Sequence, residues 1–232
     1  MSRLKAAFGL LSSDERYQWA LTIGTSLRND SLENTYPWFA FRSIEYIERL
    51  IKPEMRVLEY GSGYSTLWWA KRVAQVTSVE RSKMWLGEVQ AALSKHNLNN
   101  VRLIPFSKFP PGTEEEIQSI VGPTLLSPIV QEYVHSTVNL PCCYDVVVID
   151  DVFRNDVAVA AINAVKPGGL LILDDSERER YAPTIGLLDS LLWSFASFYG
   201  SPPYHFHEKQ TTIWLKPQNS DPGVFIHHPL EY

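Results

Sequence analysis

The chain has 232 residues, 45% of them hydrophobic, enough for one sizeable domain with its own core. Its 21 basic and 26 acidic residues give a net charge of −5 with no basic block, so nucleic acid is not an expected partner. No apolar run reaches the roughly 18 residues that span a bilayer, and Cys142 and Cys143, adjacent and alone, exclude a disulfide framework. The short apolar run at 6–11 is followed at once by Asp14, Glu15 and Arg16 and does not read as a signal peptide, so a cytoplasmic protein is the default expectation.

Residues 1–52 read as an N-terminal helical extension. Ser12 or Ser13 can cap a helix running to about residue 27, and Asn34 or Thr35 can cap a second that starts at Pro37. In the second, Phe41, Ile44, Ile47 and Ile51 recur at helical spacing. Aromatic residues gather here (Trp19, Tyr36, Trp38, Phe39, Phe41 and Tyr46), and most are expected in the core.

Residues 55–82 then read as strand, tight turn, helix, strand. An apolar run around Val57 and Leu58 ends in Glu59, Gly61-Ser62-Gly63 makes the turn, a helix covers 64–73, and a strand over 76–80 closes on Glu80. This is half of a nucleotide-binding βαβ unit. Glycines lack a Cβ, so such a turn can take positive φ and touch a ligand with its backbone. The first N–H groups of the helix attract a carboxylate or phosphate. Glu80 follows Gly63 by 17 residues, near the offset of about 20 at which an acid accepts hydrogen bonds from ribose hydroxyls. Its charge disfavours a ligand with a 2′-phosphate. The plainer alternative is a glycine turn that only packs a helix on a strand.

The alternation continues with a helix over 83–96, carrying Trp85, Val89, Ala92 and Leu93 on one face, a polar stop at 97–100, and a strand over 101–106. Residues 107–140 break the rhythm with Pro110-Pro111-Gly112, Glu114-Glu115-Glu116, Gly122-Pro123 and Pro128, leaving room for a short helix over 129–138. A connection this long in a compact domain is read as a substrate-side insertion, the alternative being a surface excursion. Tyr144 to Asp150 is a continuous Val/Ile run, the pattern of a central parallel strand covered on both faces. It delivers Asp150 and Asp151 to the sheet edge where open α/β folds bind ligands. A helix over 155–165, the turn Lys166-Pro167-Gly168-Gly169 and a strand over 170–173 bring Asp174 and Asp175 to the same cleft.

A helix is expected over 183–198. Residues 205–208 and 211–215 read as two strands separated only by Lys209-Gln210, too short for a crossover and therefore antiparallel. The predicted fold is α/β: a Rossmann-like doubly wound sheet, mostly parallel, with an antiparallel C-terminal hairpin strand and N-terminal helices. The expected divisions are 1–52, then 53–217 with the 107–140 insertion as a substrate lid, and an irregular tail over 218–232.

Over about residues 55–216 these features resemble the class I S-adenosylmethionine-dependent methyltransferases: Glu59-Tyr-Gly-Ser-Gly, the acid at 80, the Lys166-Pro-Gly-Gly turn and the reversed last strand. Asp150-x-x-x-Arg154, Asp174-Asp175-Ser176-Glu177-Arg178 and Thr211-Thr212-Ile213-Trp214 resemble a small bacterial subgroup of that family. Thr66 stands where a dinucleotide fingerprint wants a third glycine, which favours the methyltransferase resemblance over NAD. The resemblance implies S-adenosylmethionine as cofactor, held by Glu59, Tyr60, Gly61, Gly63, Ser65, Thr66, Glu80, Arg81 and Asp150, with Glu80 on the ribose and N-terminal aromatics lidding the cleft. Members usually read adenine with an acid after the third strand; here Ser107 and Lys108 stand there, leaving Ser107 or a backbone group for that contact.

The implied activity is methyl transfer to an oxygen or nitrogen of a small-molecule or sugar-like acceptor. Asp150 and Asp174 are the candidate bases, and Arg154, Arg178 and Arg180 the candidate substrate ligands. An aminopropyltransferase, an NAD enzyme and a non-catalytic binding protein are the alternatives on one fold. In catechol-type O-methyltransferases a divalent metal is held by an acid after the fourth strand and an Asp-Asn pair after the fifth; Asp150, Asp174 and Asp175 fall at the corresponding places, with Asp175 standing where that family has Asn. Neutralisation of these acids by Arg154, Arg178 or Arg180 is the preferred expectation over Mg²⁺.

Overall fold

Seven strands form one sheet in the computed structural model, which describes residue 20 and residues 36–110, 112–121, 127–136, 143–204 and 207–219. They are β1 (Arg56–Tyr60), β2 (Gln75–Glu80), β3 (Val101–Pro105), β4 (Tyr144–Ile149), β5 (Val165–Leu173), β6 (Ser194–Gly200) and β7 (Lys209–Leu215), in the order β3-β2-β1-β4-β5-β7-β6. β1 to β5 pair in parallel, while β7 runs antiparallel to both β5 and β6. The doubly wound sheet with a reversed C-terminal strand is therefore present as expected.

Strand geometry sends alternate side chains to opposite faces, and β4 shows why its uninterrupted Val/Ile run is needed. Val146 and Val148 join a layer with α1 (Phe41–Leu50), α2 (Tyr64–Ala70) and α3 (Lys83–Lys95). Val147 and Ile149 join the opposite layer, built on α4 (Glu114–Val121), α5 (Pro128–His135), α6 (Arg154–Ala164) and α7 (Ala182–Ser190). Leu67, Trp68 and Trp69 on α2 are fully buried, each contributing about 1.5–3 kcal/mol by leaving water. No helix among the described residues is long and apolar enough to cross a membrane.

The structure moves several boundaries. The second N-terminal helix starts at Phe41, not Pro37, because Phe41 N donates to Ser201 O and Ala40 N to Thr211 Oγ1, holding the backbone before it against the C-terminal hairpin. The helix expected up to residue 27 lies outside the described residues, apart from Ala20. Lys166–Gly169 is not a turn before a strand: β5 already runs from Val165, with a register shift against β4 and backbone bonds between Gly168, Gly169 and Lys216.

The helix expected over 183–198 ends at Ser190. Leu192 takes φ +54° without a glycine to mark the stop, and 194–200 becomes strand β6. The hairpin thus joins β6 to β7. Lys209 and Gln210, expected as its turn, begin β7, while His207 and Glu208 lie outside any strand and 205–206 outside the described residues. The antiparallel sense holds, but on different strands.

Candidate active site

Gly61 ends β1 with φ +94°, and a Cβ there would lie 2.5 Å from the carbonyl oxygen of Asp150. Only glycine lets the ends of β1 and β4 meet so closely. Gly63 differs from expectation: its φ of 176° is extended, and a Cβ would meet the Trp85 ring at an ordinary 3.5 Å. Two acids brace the turn. Glu59 is fully buried beneath it and accepts from Thr66 Oγ1 at 2.5 Å and Ser78 Oγ at 2.9 Å, with the Ser65 hydroxyl also directed at it. Burial pushes Glu59 up to about 7, against the pull of those hydroxyls. Glu80 accepts from Ser62 N at 3.0 Å, Ser62 Oγ at 2.9 Å and Ser82 N at 2.7 Å, and burial, with Asp151 adding to it, raises its proton affinity.

The acids at the ends of β4 and β5 converge. Asp150, Asp174 and Asp175 offer oxygens within 4.8 Å of one another. Arg154 reaches Asp150 at 3.0 Å and Asp175 at 3.1 Å, and Arg178 reaches Asp175 at 2.7 Å. Lys209 contacts Asp174 and lies 2.7 Å from Asp175. The expected neutralisation by Arg154 and Arg178 is present, whereas Arg180 pairs with Glu115 instead. Asp175 adopts φ +54°, a conformation costly for a non-glycine residue that its three cationic partners hold in place. Its own burial opposes ionisation, but Arg154, Lys209 and Arg178 outweigh that and leave it below the usual carboxylate value. Burial, and next the charge of Asp174, push Asp150 well up. Lys209 goes up as well, since Asp174, Asp150 and Asp175 outweigh the burial that would discharge it.

A cavity of about 510 Å³ opens above the turn, bordered by Gly61, Ser62, Gly63 and Ser65, by Asp150, Asp175 and their three cations, and by Trp38, Tyr64 and Trp85. Tyr64 stacks near Trp38 at 5.7 Å and lies 6.0 Å from Trp85. Of the N-terminal aromatics, Trp38 thus reaches the mouth, while Phe39 and Phe41 are core. A second cavity of about 400 Å³ shares Asp150, Arg154 and Arg178 with the first and is closed by Thr113, Glu114 and Glu115 of the insertion and by Arg180 and Tyr181. A third, about 540 Å³, lies between Arg81, Ser82, Ser107 and Phe109.

The expected cofactor residues therefore separate. Gly61, Gly63, Ser65 and Asp150 line the main cavity, and Arg81 and Ser107 the third. Glu59 and Thr66 lie beneath the turn, and Glu80 is turned onto Ser62. The Tyr60 side chain is core, donating to Val134 O at 2.8 Å. Asp174 is fully buried behind Lys209 and Thr211 and does not border the cavity, which leaves Asp150, 24% exposed, as the candidate base that does. Lys209, Tyr64, Trp85 and His207 escaped the sequence reading as site residues. The available signal for Lys209 was a lysine opening an apolar strand beside an acid-tipped one.

Sheet order, reversed β7 and glycine turn together define the fold of class I methyltransferases. No family model and no curated protein matches the chain. Among solved structures it is similar to an S-adenosylmethionine-dependent O-methyltransferase of Thermotoga maritima, at 14% identity over 84% of this chain and 71% of that one with a TM-score of 0.55. It is also similar to a precorrin-6y C5,15-methyltransferase of Geobacter metallireducens, at 14% identity over 81% and 95% with a TM-score of 0.54. A methyltransferase-like protein of Silicibacter pomeroyi matches at 22% identity over 82% and 92%, with a TM-score of 0.50. At these identities the likeness establishes the fold.

Proposed function

We propose that this chain is an S-adenosylmethionine-dependent methyltransferase acting on an oxygen or nitrogen of a small, hydroxyl-rich acceptor. The observation that carries the reading is the turn at Gly61, pressed against Asp150 at the carboxyl edge of the sheet and bordering the first cavity. When bound, S-adenosylmethionine supplies an electrophilic methyl group on a sulfonium. The N–H groups at the start of α2 favour a carboxylate at the turn, and Trp38, Tyr64 and Trp85 offer aromatic faces to a cation. Glu80 serves the ribose by exchanging its bond from the Ser62 hydroxyl for bonds from ribose hydroxyls.

The second cavity suits the acceptor because it shares Asp150, Arg154 and Arg178 with the lining of the first. Its wall carries guanidinium donors (Arg154, Arg178, Arg180) and carboxylate acceptors (Glu114, Glu115, Asp150) beside Val152 and the Tyr181 ring, and is more polar than apolar. Hydroxyls donate and accept at once, so a sugar-like group matches this wall better than an aromatic ring does. Asp150, raised in proton affinity and within both cavities, is positioned to take the acceptor proton.

Calorimetry with S-adenosylhomocysteine and with NAD tests the cofactor. S-adenosylhomocysteine is expected to bind and NAD not, and Glu80→Ala to weaken the former by roughly 1–3 kcal/mol. Binding of NAD alone would overturn the reading.

A further inference from the structure

We propose that Lys209 stands where three converging carboxylates would otherwise gather a divalent cation, and that its ammonium keeps the site metal-free. Oxygens of Asp150, Asp174 and Asp175 lie within 4.8 Å of one another, a spread that suits a hard cation coordinated at about 2.0–2.6 Å. The space between them is not open to one. The Lys209 ammonium contacts Asp174 and lies 2.7 Å from Asp175, while Arg154 reaches Asp150 and Asp175. With Arg178 also on Asp175, three acids already face three cations. A 2+ ion would have to expel Lys209 from two carboxylates, leaving a buried ammonium without partners, which is strongly unfavourable.

The backbone fixes this arrangement. Lys209 opens β7 and pairs with Gly200 at the end of β6, and its side chain is 7% exposed. The ladder that reverses the last strand thus delivers the cation to the acids. Lys209 is accordingly a positioning residue for Asp174 and Asp175. A divalent group therefore does not fit these residues while Lys209 is present.

For the reaction, which rests on the methyltransferase reading above, proton removal falls to Asp150. The acceptor O–H proton passes to its carboxylate, the oxygen lone pair forms the new O–CH₃ bond, and the C–S bond breaks with its electron pair going to sulfur.

The test is Mn²⁺ titration followed by electron paramagnetic resonance, with S-adenosylhomocysteine affinity measured on the same samples. Wild type is expected to bind no Mn²⁺ at millimolar concentration. Lys209→Met is expected to bind it at least tenfold more tightly than wild type and to gain thermal stability from it, and Lys209→Arg to behave as wild type. Submillimolar Mn²⁺ binding by wild type that Asp174→Asn abolishes would overturn the proposal, and this arm stands even if Lys209→Met does not fold. A folded Lys209→Met that ignores Mn²⁺ would overturn it too. Because Mn²⁺ binding does not depend on the cofactor, failure to bind S-adenosylhomocysteine would count against the methyltransferase reading alone.

Discussion

At Gly61 the backbone sits at φ +94° with the Asp150 carbonyl 2.5 Å from where a Cβ would be, whereas two residues later Gly63 is extended with ordinary space around it. A Gly-x-Gly pattern in sequence cannot separate these two loads, since it shows residue type and not φ. Gly61→Ala is expected to cost about 1–3 kcal/mol from backbone strain alone, with the carbonyl contact adding to it. Gly63→Ala is expected to stay within about 0.5 kcal/mol of wild type. Urea unfolding of the two variants decides, and equal losses would show that the turn is not held by the β1–β4 approach. The acids tipping β1, β2, β4 and β5 were legible because each ends an apolar run. Their partners were not: Lys209 is 34 residues beyond Asp175, and only the folded sheet brings it back.

At the scale of elements, the insertion was the least legible part of the chain, because proline, glycine and glutamate signal interruption without saying what lies beneath. Ile117 of α4 and Val130 and Tyr133 of α5 are fully buried, and Tyr133 closes an aromatic box with Phe106 and Phe109 at 5.1 and 5.2 Å. The segment is therefore rooted in the core, while its Thr113, Glu114 and Glu115 border the second cavity. β6 was hidden for a related reason: Ser-Phe-Ala-Ser-Phe-Tyr carries no strand boundary, and the helix before it stops at a left-handed leucine. The Tyr133 hydroxyl donates to Asp151 at 2.7 Å, and Asp151 also pairs with Arg81 at 3.2 Å. Tyr133→Phe removes one partner of a part-buried carboxylate and is expected to cost about 1–3 kcal/mol. It should also loosen α5, read as faster amide exchange there than in α6. Exchange that stays level across the two helices would place the rooting of α5 elsewhere.

Across the whole molecule, the carboxylates along the strand-end edge face opposite fates. Asp175 is held ionised by its cations, while Glu59, Glu80 and Asp150 are pushed toward the protonated form by burial. Glu59 is the sharpest case, because it is fully buried and only hydroxyls answer it. Its folded-state value of about 7 stands above the ordinary 4.5. A folded state that holds the proton more tightly draws stability from it that is fully present below pH 4.5 and is lost as pH rises through about 7. The gap between 4.5 and about 7 corresponds to about 3 kcal/mol. Glu59→Gln keeps the shape and removes the titration, while Asp150 titrates in both proteins and Glu80, whose charge is the smallest of the causes acting on Glu59, nearly cancels in the comparison. From pH 4.5 to pH 8 the stability of wild type relative to Glu59→Gln is therefore expected to fall by about 3 kcal/mol, measured by urea unfolding at both pH values. Parallel stability curves for the two proteins would mean that Glu59 stays ionised beneath the turn, and that the hydroxyls of Ser65, Thr66 and Ser78 offset its burial in full.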